Sequence, residues 1–221
     1  MVNNKGSEHQ MDKIRNVVII GEEEIGKTTL ANALLGWDIF PQSTWDLYIP
    51  TEKPTSQMLT EHIRLTDMPG YDLWWYQVPE CVNEAVSRAD TIIMMFTGFA
   101  DASDAELGNA EPEIMKEFHR WREKLDKEEK LQKALLAKAK TRDIYFVLPF
   151  YSEDGPLDQA ELEQEIACAK ERYASLSDHG EEGFFCVDPM MALIAAIEDD
   201  REALAKSGIL PLKAALLGAE E

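Results

Sequence analysis

One octapeptide constrains this chain more than any other part of it: Gly21-Glu-Glu-Glu-Ile-Gly26-Lys27-Thr28. It satisfies G-x-x-x-x-G-K-[ST], and its flanks suit that pattern. NVVII, ending at Ile20, is a short β-branched run of the kind that forms a buried strand. TTLANALLG, ending at Gly36, has helical character with a glycine stop. Glycines let such a loop wrap a phosphate group, and N–H groups at the helix start donate to its oxygens. Gly21, Glu24, Ile25, Gly26, Lys27, Thr28 and Thr29 are therefore candidate phosphate-binding positions. Lys27 is expected to neutralise the β- and γ-phosphates and Thr28 to place a hydroxyl on Mg²⁺. The alternative is a strand-to-helix turn without a ligand.

The remaining pattern alternates strands with helices. MLTEHIRLTD alternates along one predicted strand ending at Asp67, with TWDLYIP a possible edge strand before it and EKPTS its turn. Pro79 opens a predicted helix through Arg88. TIIMMF (91–96), DIYFVLPF (143–150) and GFFCVDP supply further apolar strands. Ile114, Phe118, Trp121 and Leu125 recur at helical spacing. That stripe slips near Glu128 and Glu129 and resumes at Leu131, so one bent helix or two are expected. LDQAELEQEIACAKERYASL and MMALIAAIEDDREALAKSG each predict one helix, and PLKAALLGAEE a short last one. This order predicts a three-layer α/β sandwich with a mainly parallel sheet, the P-loop NTPase architecture. Residues 1–13 form a polar lead, 14–208 the domain and 209–221 a short helix or tail.

Composition bounds the function. The 221 residues carry 22 Lys+Arg against 42 Asp+Glu, a formal charge of -20, which disfavours coating nucleic acid or an anionic membrane with the whole surface. The three cysteines, Cys81, Cys168 and Cys186, form no CxxC pair. With no apolar signal segment or spanning run, a cytoplasmic location is expected. The acidic balance enters the loop itself. A glutamate charge about 6 Å from a phosphate costs roughly 3 kcal/mol at an effective dielectric near 20. Glu22, Glu23 and Glu24 therefore either oppose a polyanion or point to solvent.

Asp67-Met68-Pro69-Gly70 stands at the end of the next strand, 40 residues after Lys27. An aspartate there is placed to serve the Mg²⁺ shell, and Gly70 to sense a γ-phosphate. With GEEEIGKTTLANALLG, PQST and DMPG in order, the chain resembles the Ras-like superfamily of P-loop GTPases, in its Era-like, septin-like and dynamin-like branches. The likeness is good over residues 14–100 and rests on element order beyond. It implies GTP and GDP as ligands, Mg²⁺ as cofactor, and a nucleotide-dependent switch in loops 37–57 and 68–78. It also implies that Thr44 is the switch threonine on the metal, with Thr55 second, and that Thr28 and Asp67 are its other ligands. Lys27 and Thr44 carry the hydrolytic chemistry by the same resemblance.

Two departures set limits. Tyr71 follows Gly70 where Ras-type members carry a catalytic glutamine, and Glu23 occupies a loop position where bulky residues disturb hydrolysis in those members, so slow hydrolysis is expected. The [NT]KxD guanine box is missing: the matching strand runs into Tyr151-Ser152-Glu153-Asp154. Asp154 and, more weakly, Asp188 are the candidate base contacts, or else cap and turn residues. A degenerate member serving as a protein-binding module is the main rival; a P-loop kinase using Arg120 and Arg122 is another.

Two surface features stay open. Trp74, Trp75 and Tyr76 are either a partner-binding anchor in the second switch or packed beneath it. Residues 111–142 hold ten basic and seven acidic residues, forming either a partner surface or a solvated helix laced with i,i+4 pairs. The oligomeric state is not encoded legibly.

Overall fold

The computed structural model describes residues 13–37, 39–41, 51–72, 77–97, 112–151 and 159–218, with backbone alone at 112–121 and 161. Thr44, Trp74, Trp75, Tyr76, Asp154 and the whole of the expected 44–50 edge strand lie outside them. The strands are β1 (Arg15–Ile20), β2 (Thr55–Met58), β3 (Ile63–Asp67), β4 (Thr91–Met95), β5 (Ile144–Pro149) and β6 (Phe184–Val187). They form one sheet in the order β2-β3-β1-β4-β5-β6. Only the β2–β3 pair is antiparallel.

The helices are α1 (Lys27–Leu35), α2 (Glu80–Arg88), α3 (Pro112–Leu136), α4 (Gln159–Tyr173), α5 (Pro189–Glu198), α6 (Arg201–Lys206) and α7 (Ile209–Leu217). The apolar strands are buried on both faces because successive residues point oppositely. Val17 and Ile19 join the core under α1, α5 and α7, with Leu30, Leu34, Leu193, Ile209 and Leu212. Val18 and Ile20 join the core under α2, α3 and α4, with Val82, Val86, Leu125 and Tyr173. Each fully buried leucine or isoleucine contributes about 1.5–3 kcal/mol.

Two expectations are corrected. The stretch read as one strand ending at Asp67 is a hairpin. Thr60 Oγ1 accepts from the backbone N–H groups of His62 (3.2 Å) and Ile63 (3.1 Å), and Leu59 N–H donates to the Ile63 carbonyl (2.8 Å), so the chain turns there. Residues Thr55 and Ser56, taken for a turn, begin β2. The helix expected from Met190 to Gly208 is broken at Asp199, whose φ is 56°. Asp200 then caps α6, accepting from Glu202 N and Ala203 N at 3.0 Å each. The stretch with the slipping stripe is the single helix α3. The last predicted helix is α7, and its Ile209, Leu212 and Leu216 are buried in the core.

Candidate phosphate-binding site

The site lies beyond the carboxyl ends of the parallel strands, where such sheets hold ligands. Register does the first positioning: Ile19 of β1 pairs with Asp67 of β3, so the loop and the DMPG box emerge side by side. The loop turns back through two left-handed residues, Glu24 (φ 63°) and Gly26 (φ 91°). Glycine takes that conformation freely; for Glu24 it costs about 1–2 kcal/mol. Ile25 is buried and anchors the loop. Gly26 is the N-cap of α1 without a side-chain cap, so the first-turn amides, Thr28 and Thr29 among them, have no intrahelical acceptor.

Lys27 bends back into the loop, where Nζ donates to the Glu22 carbonyl at 2.6 Å. It is 5% exposed. Burial lowers its ammonium to about 8, against the opposing charges of Asp67, Glu23 and Glu22. Beside it, Thr28 Oγ1 donates to Asp67 Oδ2 at 2.8 Å, Thr51 Oγ1 donates to the same oxygen at 3.2 Å, and the two hydroxyls are 3.1 Å apart. Asp67 Oδ1 is buried with no hydrogen-bond partner among the described residues. Burial raises the Asp67 carboxyl, while the Thr28 hydroxyl, the Lys27 charge and the Thr51 hydroxyl oppose that. Two hydroxyls and a carboxylate with an unpaired oxygen fit a hard divalent cation such as Mg²⁺.

The DMPG box is stitched to the loop. Tyr71 N–H donates to the Gly21 carbonyl (3.3 Å), and Glu23 N–H to the Tyr71 carbonyl (3.2 Å). A Cβ on Gly70 would fall 2.6 Å from Glu23 Cα, so the approach requires glycine. The Tyr71 side chain is fully buried, and its hydroxyl accepts from Gln132 Nε2 at 3.0 Å. Burial raises that phenol well above its ordinary value, with the nearby Glu128 charge adding to it. It faces α3 rather than the phosphate loop.

The loop glutamates divide. Glu23 and Glu24 are exposed. Glu22 is turned toward α3, where Lys124 Nζ stands 3.4 Å from its carboxylate. Tyr151, at the first position of the missing base box, reaches the loop with its hydroxyl 3.5 Å from the Ile25 carbonyl. Asp188 is the N-cap of α5, accepting from Met191 N at 2.9 Å. Thr55 is exposed on β2, its hydroxyl donating to the Lys53 carbonyl at 3.3 Å. On α3, Lys124, Lys127 and Lys133 all meet carboxylates, Glu22, Glu123 and Glu129.

Sequence reasoning missed Thr51, Lys124 and the buried Glu128–Gln132 pair. A signal for the last existed: the slip in the apolar stripe falls on Glu128, which is 1% exposed, and Gln132 lies one turn on, fully buried.

Fold and site together define a P-loop GTPase-type domain. The chain belongs to the family described as 50S ribosome-binding GTPase, which matches residues 16–148. No curated protein sequence matches it significantly. Among solved structures it is similar to two chains of an oligomerised bacterial dynamin pair described as sensing and tethering membranes. One has a TM-score of 0.59 at 16% identity, covering 94% of this chain and 45% of that one. The other has 0.57 at 17%, covering 93% and 44%. Aquifex aeolicus Era bound to GDP and aluminium fluoride aligns at 0.44 and 16%, covering 88% and 57%. This chain thus spans under half the length of the dynamin chains. Among the described residues no helix is long and apolar enough to cross a membrane.

Proposed function

We propose that this chain binds GTP and GDP with Mg²⁺ and works as a nucleotide-dependent switch with slow GTP hydrolysis. The observation that carries this is the convergence of Thr28, Thr51 and Asp67 beside Lys27, with Asp67 Oδ1 unpaired among the described residues. Lys27 neutralises phosphate charge, and the loop and first-turn amides orient the phosphate oxygens. Thr28, Asp67 and a switch threonine would hold the metal, which would offset phosphate charge. Thr51 is the threonine whose hydroxyl supports that last role, while Thr44 rests on the resemblance. Gly70 reports the γ-phosphate through its N–H. Hydrolysis is in-line: a water oxygen bonds to γ-phosphorus, the bridging bond to GDP breaks, and inorganic phosphate leaves. The burial of Tyr71 supports slow turnover, since that side chain does not face the reacting water. Trp37, 70% exposed, and Ile39, 44% exposed, begin the first switch loop and support a protein partner there; Trp74, Trp75 and Tyr76 extend that reading to the second switch loop by their sequence alone. A cytoplasmic setting accords with this reading.

Calorimetric titration with GTP, GDP and ATP, with and without Mg²⁺, tests it. Mg²⁺-dependent binding of GTP is expected, with about 10–100-fold loss in Asp67→Asn and a comparable Mg²⁺-specific loss in Thr51→Ala. The same loss in Thr44→Ala instead returns the role to Thr44. No binding of any nucleotide at high micromolar concentration sinks the proposal. A second reading, a GTPase-like binding module without turnover, draws on the missing base box; bound GTP with no phosphate release selects it.

A further inference from the structure

Glu22 presents a charge problem that its surroundings answer. Its backbone belongs to the phosphate loop: its carbonyl holds Lys27 Nζ, and it bridges to Tyr71. Its carboxylate, 15% exposed, faces Lys124, 38% exposed, at 3.4 Å. One turn further along α3 sits Glu128, whose carboxylate accepts from Thr97 Oγ1 (3.1 Å) and Gln132 Nε2 (2.7 Å). The Glu22 charge acts on Glu128, and Lys124 acts on both. A second cation acting on Glu22 is Lys27, the ammonium that the phosphates need; Asp72 adds a further negative charge nearby.

We propose that Lys124 is a positioning residue for nucleotide binding: it holds the Glu22 carboxylate against α3, off the phosphates and off Lys27. This rests on the nucleotide-binding reading above and goes beyond it, because it explains how an acidic loop accepts a polyanion. Without Lys124, Glu22 and Glu128 repel each other, and Glu22 turns toward Lys27 and competes with the ligand for it. Lys124 touches no substrate atom in this scheme; it acts through Glu22.

The test is a double-mutant cycle on the full chain, titrated with Mg²⁺-GTP and Mg²⁺-GDP, with a thermal melt of every variant. Lys124→Gln is expected to weaken GTP binding about tenfold, and GDP binding less, because GDP carries less charge. Lys124→Arg keeps the cation and retains affinity. Glu22→Gln alone tightens GTP binding a few-fold. In the double variant Glu22→Gln with Lys124→Gln, affinity returns to that of Glu22→Gln. A merely structural role for Lys124 gives a loss that Glu22→Gln does not rescue, and that result overturns the proposal. So does unchanged affinity in Lys124→Gln while the parent chain binds GTP. If the parent chain binds no nucleotide at all, the functional reading itself fails and this inference falls with it.

Discussion

At the scale of single residues, the site depends on backbone approaches that side chains would prevent. Gly70 lies against Glu23 so closely that a methyl group has nowhere to go: it would meet Cα and the side-chain Cγ at 2.6 Å each and N at 2.7 Å, and the two backbone atoms cannot swing aside. Gly70→Ala should therefore part the DMPG box from the loop and cost about 1–3 kcal/mol. Urea unfolding at unchanged m-value measures this, and an unaltered midpoint contradicts it. The loop, Asp67 and Gly70 were legible in the sequence because their chemistry is local and their spacing is set by one strand and one turn. Thr51 was not. The alternation of Leu59, Glu61, Ile63 and Leu65 runs on across the real turn, which hid β2 and with it the threonine four residues ahead of that strand. Lys124 was beyond reach for another reason: its pairing with Glu22 depends on where α3 docks, and no local pattern states that.

Among the elements, α3 carries the unusual chemistry. Its buried polar set joins Tyr71, Tyr173 and Thr97 through Gln132 and Glu128: Tyr173 donates its hydroxyl to Gln132 Oε1 while Gln132 Nε2 serves both Glu128 and Tyr71. Such a set specifies one docking of the helix, because each member left alone would be an unpaired buried polar group. Burial raises the Glu128 carboxyl to about 7, with the neighbouring Glu22 charge adding to it, and Thr97, Lys124 and Gln132 oppose that. The sign follows from the unfolded value near 4.5. The contribution of Glu128 to stability is fully present below that value and is lost as pH rises through about 7, because the folded chain must then hold a buried charge. Glu128→Gln should thus gain about 1 kcal/mol relative to the parent at pH 8 and nothing near pH 4. Paired urea titrations at the two values check this; a difference independent of pH refutes it. The same residue explains why the helical stripe slipped in the sequence: a core position filled by a polar group looks like the end of an amphipathic face.

For the molecule as a whole, the end of the sheet opposite the phosphate site is closed by a charged cluster. Arg15 donates to Asp143 Oδ2 (2.6 Å), Thr91 Oγ1 (2.7 Å) and the Leu216 carbonyl (2.8 Å). Thr91 donates its hydroxyl to Asp143, and the His179 ring lies 2.6 Å from Oδ1. Burial would raise the Asp143 carboxyl, but bonds from Thr91, His179 and Arg15, with the Arg15 charge, outweigh it and hold the group below its usual range. The cluster ties β1, β4, β5 and α7 together. Asp143→Ala should cost about 2 kcal/mol, discounted for partial exposure, and leave GTP affinity unchanged because the phosphate site is at the other end of β1. A fall in affinity at constant fold would show that the two ends are coupled. The overall charge of -20 remains a property of the surface, while the acids that matter most, Glu22, Asp67, Glu128 and Asp143, are those drawn inward to partners. The two-sided burial of β1 has a last consequence. Val17 and Ile19 belong to one hydrophobic body and Val18 and Ile20 to another, so the sheet acts as a bulkhead between two compartments. Damage in one should not flood the other: Leu34→Ala with Val86→Ala, across the sheet, should add within about 0.5 kcal/mol, whereas Leu30→Ala with Leu193→Ala, in one compartment, should not.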